Sequence, residues 1–452
     1  MDLGETIEGR WWKPEDPEAV VAGSLAEEDD LFILKASGRL AGSNGEPFDE
    51  LARFRMLHGV SERGEPITLL GCHCFHRRTN LGAGGGSERW RIESIVRGCL
   101  LEEPDERVNS VRVELDSALE WSGARPIEIE TAGADSTTLT ANNQTCGRAS
   151  VSGALVTMEI EHRLEYQRSS ASLRQAAVFV FDAHEGVDFR TAMKNLVFPV
   201  RDLIAFATGG YVEIRSVEGR PAAMSDGSQP SYCAYFTRLQ RPQKQREARA
   251  THEMLTLARL GIAFDELIPR WFRLSETHRT TVSMLLVPSH APYLYADSHL
   301  LTAWLALDAY HQSAVGGAAI DAELHEARVK AIVQAAPREH REWAKNVLSG
   351  KNQVGAKRRL QEVIERSGTT GQAVLAARQD FVSLAVSGRQ QVAHPSVVDS
   401  EAGLRYLITA SAIRQVLRHC LLVDLGVDSD AAGLLVVSNP VFAWCLEQLA
   451  SL

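Results

Sequence analysis

The sequence predicts an α+β chain of two domains, a β-rich one with a sandwich- or barrel-like sheet, then an all-α bundle. Three observations predict it. Apolar residues alternate with polar ones through the first half, and they recur at helical spacing through the second. Between the two lies a polar, basic stretch, TRLQRPQKQREARAT, from Thr237 to Thr251. The boundary is set at its start, giving domains of residues 1–236 and 237–452. With 452 residues and 44% apolar composition the chain can bury separate cores.

The strand pattern of the first half is explicit at Val111-Arg-Val-Glu-Leu115, Pro126-Ile-Glu-Ile129 and Val156-Thr-Met-Glu-Ile160. Val178-Phe-Val-Phe181 is an unbroken apolar run, as in a strand covered on both faces. Turn-forming pieces, Ser61-Glu-Arg-Gly64 and Ala132-Gly-Ala-Asp135, separate such runs. One helix is expected at Val200 to Thr208, stopped by Gly209-Gly210.

In the second half, Ile413, Val416, Leu417, Cys420 and Leu421 form one apolar face, with Gly426 as the stop. Leu301, Trp304 and Leu305 read the same way. A further helix is expected from about Gln372 to Gln391, with Val382, Val386 and Arg389 on one stripe.

Composition excludes several classes. The net charge of −10 gives no general attraction to nucleic acid or anionic membrane, so any such contact needs a local basic patch. The opening MDLGETIEGRWW is acidic and lacks the apolar run of a signal peptide. Nowhere do about 18 apolar residues run unbroken, so no membrane span is expected. Seven scattered cysteines make no disulfide framework, and the chain reads as cytoplasmic.

GRQQVAHPS, Gly388 to Ser396, carries the chemistry. A ribose 2′-hydroxyl attacks its own phosphodiester when a base takes its proton and a cation steadies the phosphorane. His394 titrates near neutrality and suits the proton transfer. Arg389 can grip phosphate oxygens through parallel hydrogen bonds, and no metal or other cofactor is required. Pro395 pushes His394 out of the α region, so the helix should break there. An intact helix would set the two side chains about 140° apart; local unwinding or a second subunit must bring them together. On spacing alone, a helix end with a cationic cap is the plainer reading.

The stretch from Asp380 to Asp428 resembles the end of an ApeA-like HEPN domain. Arg389 and His394 fall at its R-x4-6-H motif and Leu425-Gly426 at its closing L-G pair. LTAWLALDAYHQ, Leu301 to Gln312, is similar to the family's first core helix, with Asp308 where a glutamate is usual. Gln390 stands where asparagine is common. GRWWKPEDPEAVVAGSLAEEDDLFIL, followed by strands FRMLHGV and ITLLGC, is similar to the ApeA N-terminal domain. The resemblance implies a helical domain that dimerises, with motifs from two chains across one cleft. It implies a metal-independent endoribonuclease of anti-phage defence, tRNA being a candidate target and a phage protein a candidate trigger. The β-rich domain would sense infection or restrain the nuclease. The alternative is a non-catalytic HEPN module that binds nucleotides or proteins.

Asp308 follows Trp304 by four residues on the apolar face, where a carboxylate needs a partner. It either orients Arg389 or His394, with Gln390 assisting, or holds the bundle in a buried salt bridge. Lys351, Lys357, Arg358 and Arg359 can track an RNA backbone or face solvent. Cys72, Cys74 and His76 alternate along a strand and should point one way, but no second ligand pair accompanies them. GAGGGS, Gly82 to Ser87, lacks the lysine and hydroxyl of a phosphate loop and reads as a hairpin end.

Overall fold

Strands β1 (Ile7–Lys13), β2 (Asp16–Glu28), β3 (Leu31–Ala36), β4 (Arg53–Ser61), β5 (Pro66–Thr79) and β6 (Gly86–Arg97) form a closed antiparallel ring in the order β1-β2-β3-β6-β5-β4. Closure gives every ring strand two partners, which removes the exposed edges of an open sheet. The computed structural model describes residues 6–29, 31–40, 52–79, 86–104, 107–124, 127–132, 136–167, 170–221, 232–237, 255–291, 293–393 and 402–452. Two units divide the chain, Met1–Ile204 with Val212–Arg246, and Ala205–Tyr211 with Glu247–Leu452.

Inward-pointing Trp11, Leu25, Leu34, Leu57, Leu69 and Trp90 fill the ring. The Trp11 indole donates to the Gly23 carbonyl at 3.0 Å, so its one polar atom is satisfied inside the core. Gly59 pairs directly with Trp11 across β1 and β4, and a Cβ there would stand inside the indole ring. Gly59→Ala is therefore expected to cost about 1–3 kcal/mol through overpacking, read as a lowered denaturant midpoint with unchanged slope. A bend at Gly71, at φ +61°, lets both Leu69 and Cys72 point inward although three residues apart.

Past that bend the alternation of β5 fails once more. The register slips between Cys74 and His76, so Cys74 stays buried while Phe75 and His76 both face solvent. The expectation that Cys72, Cys74 and His76 share a face is thereby corrected. Burial pushes both thiols up. Most of the glycine-rich stretch lies outside the described residues, but Thr79 pairs with Gly86 across it, joining β5 to β6.

From β6 the sheet continues as an open one. β14 (Cys233–Thr237) pairs with Ser94–Arg97, beyond the part of β6 taken by β3. Then follow β13 (Ile214–Pro221), β7 (Arg107–Leu115), β12 (Ser170–Asp188), β11 (Ala154–Gln167) and β10 (Gln144–Val151). Central β12 explains the unbroken apolar run, since Val178, Phe179, Val180 and Phe181 are all buried. β8 (Ile127–Ala132) and β9 (Ser136–Ala141) form a separate hairpin. Helix α1 (Ala118–Ser122) is short, and α2 (Phe189–Ala192) runs through a π-turn into α3 (Phe198–Thr208), which ends before Gly209-Gly210.

The second unit is helical: α4 (Leu257–Leu260), α5 (Phe264–Thr277), α6 (Arg279–His290), α7 (Ala296–Tyr310), α8 (Ala322–Ala335), α9 (Arg341–Ser349), α10 (Ala356–Arg366), α11 (Gly368–Ala377), α12 (Phe381–Ala393), α13 (Ala402–Leu425), α14 (Ser429–Val437) and α15 (Pro440–Ser451). Helix α13 is central, with Ile413, Val416, Leu417, Cys420 and Leu421 fully buried. Side chains of Asp428 and Asn439 cap α14 and α15.

Two expectations are corrected. The helix read from Gln372 to Gln391 is two helices, broken at Arg378, whose extended backbone and ion pair with Asp380 turn the chain into α12. On α7 the buried face is Leu300, Ala303, Trp304 and Leu307, while Leu301 and Leu305 are exposed. Among the described residues no single helix is long and apolar enough to cross a membrane.

Candidate active site

Arg389 lies in the last described turn of α12. That helix buries Phe381, Ala385 and Gly388. A Cβ on Gly388 would approach Leu300 to 3.2 Å, so the glycine sets how closely α12 sits on α7. Val382, Val386 and Arg389 form the neighbouring, half-buried row. From it the Arg389 guanidinium lies over the Trp304 ring, 5.2 Å from its centroid, and donates to Asp308 Oδ2 at 2.9 Å. It retains 38% exposure, so part of its donor fork faces outward.

Asp308 holds a second arginine. Arg359 Nη1 donates to Asp308 Oδ1 at 3.1 Å, while its Nε reaches the Val354 carbonyl at 2.7 Å and its Nη2 reaches Gln353 at 3.2 Å. One carboxylate shared between two guanidiniums leaves the cluster with a net positive charge. Arg359 is used up by the fold on all three nitrogens, whereas among the described residues Arg389 donates to Asp308 alone.

Further carboxylates brace the helices around this cluster. Where α7 widens into the π-turn His311–Val315, buried His311 sits with Nε2 2.6 Å from Glu362 Oε2, and Arg358 Nε donates to the other oxygen at 2.7 Å. The His311 hydrogen bond, and then Arg358, hold the Glu362 carboxyl below its ordinary range. On the next turn of α10, Arg366 donates to the Tyr310 hydroxyl at 2.9 Å and to Asp424 at 3.0 Å, and Tyr310 donates to Asp424 at 2.7 Å. Burial and the Asp424 carboxylate raise the Tyr310 hydroxyl, so it stays a donor. Tyr310 lay inside the stretch LTAWLALDAYHQ, but Glu362, Arg366 and Asp424 were not singled out. The visible signal was a lone aspartate in the apolar run LLVDLG.

The remaining predicted residues divide plainly. Gln390, Lys351, Lys357 and Arg358 are exposed, although Arg358 is tied to Glu362. His394 lies outside the described residues. Among the described residues no three His, Cys, Asp or Glu side chains gather as a metal site. What the cluster can do is hold a half-open guanidinium in one orientation, fixed by a carboxylate and an indole, for an oxyanion arriving from solvent.

A family model for ApeA N-terminal domain 1 matches residues 6–271, and one for the Apea-like HEPN domain matches residues 301–431. The first alone covers more than half of the chain. The chain belongs to the ApeA family. No curated protein and no solved structure matches it. The HEPN match takes in Asp308, the basic start of α10, Arg389 and the start of α14, so the carboxylate–arginine cluster lies inside the HEPN part of this ApeA protein. At the level of the family, that makes it an anti-phage defence protein of the HEPN nuclease class.

Proposed function

We propose that this ApeA protein is a dimeric, metal-independent endoribonuclease that cuts tRNA during phage infection. Arg389 grips the scissile phosphate, His394 moves the proton between the 2′-hydroxyl and the leaving oxygen, and Gln390 assists from the exposed side. Asp308 is a positioning residue. The products are a 2′,3′-cyclic phosphate and a 5′-hydroxyl. Residues 237–452 are the nuclease part, and residues 1–236 sense a phage component.

The observation that carries this reading is the Arg389–Asp308 bond, with Arg359 on the other carboxylate oxygen and one side of Arg389 open. Arg389 differs from Arg359 in keeping donor capacity beside the shared carboxylate, which is what a phosphate contact needs. Support for the dimer comes from α7, where Leu301 and Leu305 are 37% and 53% exposed. With Asp308 they fall at i, i+4 and i+7, on one face. A second copy covering those leucines would reach the cluster and bring its own Arg389 and His394. Exposed Lys351 and Lys357 supply backbone contacts for RNA.

Purified protein incubated with tRNA and EDTA tests the reading beside His394→Ala. Cleavage that survives chelation, leaves cyclic phosphate ends and vanishes in the variant is the expected result. RNA that stays whole, even with phage lysate added, would favour a non-catalytic HEPN module.

A further inference from the structure

On the outer face of the barrel, strand register brings basic side chains side by side. His73 of β5 stands directly opposite Arg53 of β4 on one side and Arg91 of β6 on the other. In the next outward row His76 faces Arg89, and Arg89 faces Lys35 of β3. Their sequence neighbours Phe54, Cys72, Trp90, Ile92 and Leu34 belong to the barrel core, so these side chains point away from it. Arg89 and Lys35 are like charges placed opposite each other across strands, which destabilises a sheet. The described carboxylates on this face offset that only in part. Glu28 is shared between Lys35 and Arg89 at 2.5 and 2.7 Å, and Glu93 between His73 and Arg190 at 3.4 and 3.2 Å. Arg53 and Arg91 are exposed with no counter-ion among the described residues.

In the middle of the face stands an exposed aromatic. Phe75 is 45% exposed, and the Arg89 guanidinium lies 5.5 Å from its ring centroid. The β5 slip that corrected the cysteine reading is what puts Phe75 and His76 outside together. A plain barrel surface in a chain of net charge −10 has no use for Arg53, Arg91, Arg89 and Lys35 set around an open phenyl ring.

We infer that this face of the barrel binds single-stranded nucleic acid. Arg53 and Arg91, about two strand spacings or ~10 Å apart, hold backbone phosphates, and a base stacks on Phe75 beside Arg89. Cationic tracks with interleaved aromatics are how single strands are held without sequence readout. A duplex hides the faces of its bases and offers nothing for Phe75 to stack on. This inference rests on no part of the nuclease reading, since the barrel residues lie outside the HEPN match.

The test is fluorescence anisotropy of the full-length protein with a labelled 20-mer of deoxythymidine. It lacks the 2′-hydroxyl that the proposed cleavage needs, so binding is read whether or not the protein is a nuclease. Phe75→Ala is expected to weaken binding roughly 5- to 100-fold, the usual effect of losing one stacked base. Arg53→Ala with Arg91→Ala is expected to lower the slope of log affinity against log salt by about 1.4, two phosphate contacts on a single strand. All three residues are exposed or half-exposed, so thermal midpoints should stay with the wild type, and they are measured alongside. No binding at micromolar protein, or variants indistinguishable from wild type, would overturn the inference. So would loss on arginine removal alone with Phe75→Ala neutral and equal displacement by polyglutamate, which would mark the face as a seat for an acidic protein.

Discussion

Arg389→Ala should reduce RNA cleavage by at least about 10³-fold while the protein stays folded. The first half of that expectation follows from charge. The phosphorane carries an extra negative charge relative to the diester, and a preorganised donor aimed at such charge is worth roughly 10²–10³ in rate by itself. In the proposed mechanism Arg389 also sets the phosphate relative to His394, so misplacement adds to the loss. The second half follows from its surroundings. Asp308 keeps Arg359 when Arg389 is removed, so no carboxylate is left unpaired, and the lost cation–π contact lies at a site 38% exposed. The stability change should be within about 1 kcal/mol. Arg389→Lys tests the geometry. An ammonium keeps the charge but loses the planar fork that reaches Asp308 and a phosphate together, so it should restore little activity. Single-turnover cleavage of tRNA, with circular dichroism melts of each variant, measures both halves. Cleavage by Arg389→Ala at more than a tenth of the wild-type rate would remove Arg389 from the chemistry.

Much of the fold was legible because burial there follows local spacing along the chain. The α13 stripe reads correctly since all five of its apolar residues face the same core. The β12 run reads correctly because a strand between β11 and β7 has no wet face along those four residues. Failures share a different cause. Leu301 and Leu305 follow helical spacing yet are exposed, because periodicity reports an apolar face without saying whether this chain or another covers it. The break at Arg378 has no Gly or Pro to announce it; it depends on one backbone conformation and an Arg–Asp pair. His76 missed its predicted side through a bulge, which inserts one residue and reverses every later side chain.

The site was legible in part for the same reasons. Arg389 and Asp308 stood out in the sequence, but their contact spans 81 residues, and that of Tyr310 with Asp424 spans 114. Spacing rules cannot reach across such separations. Arg359 illustrates the cost. As one of several basic residues in a row it looked like an RNA contact, yet its nitrogens are spent on Asp308, Val354 and Gln353. Its nearest basic neighbours differ only in which way α10 turns them.

Asp308→Asn offers the second large effect, and its direction separates a positioning carboxylate from a structural one. Removing the charge leaves Arg389 and Arg359 on a neutral amide that cannot accept from both as a carboxylate does. The guanidiniums repel, and Arg389 loses the contact that fixes its orientation. Stability should fall by about 1–3 kcal/mol, the usual range for losing charge-assisted hydrogen bonds, since Asp308 and Arg359 are only 18% and 21% exposed. If Asp308 serves only the fold, the surviving folded enzyme should cleave at the wild-type kcat. If it positions Arg389, kcat should drop roughly 10- to 100-fold, as misplaced catalytic groups do. KM for RNA should meanwhile hold or fall, because the cluster has become more positive and attracts the backbone more strongly. Asp308→Glu, which keeps the charge, should recover most of the kcat. A variant with wild-type kcat in the folded fraction would return Asp308 to the role of a bundle salt bridge. A fall in kcat with KM unchanged or lower, rescued by glutamate, is the signature of a carboxylate whose work is to hold an arginine still.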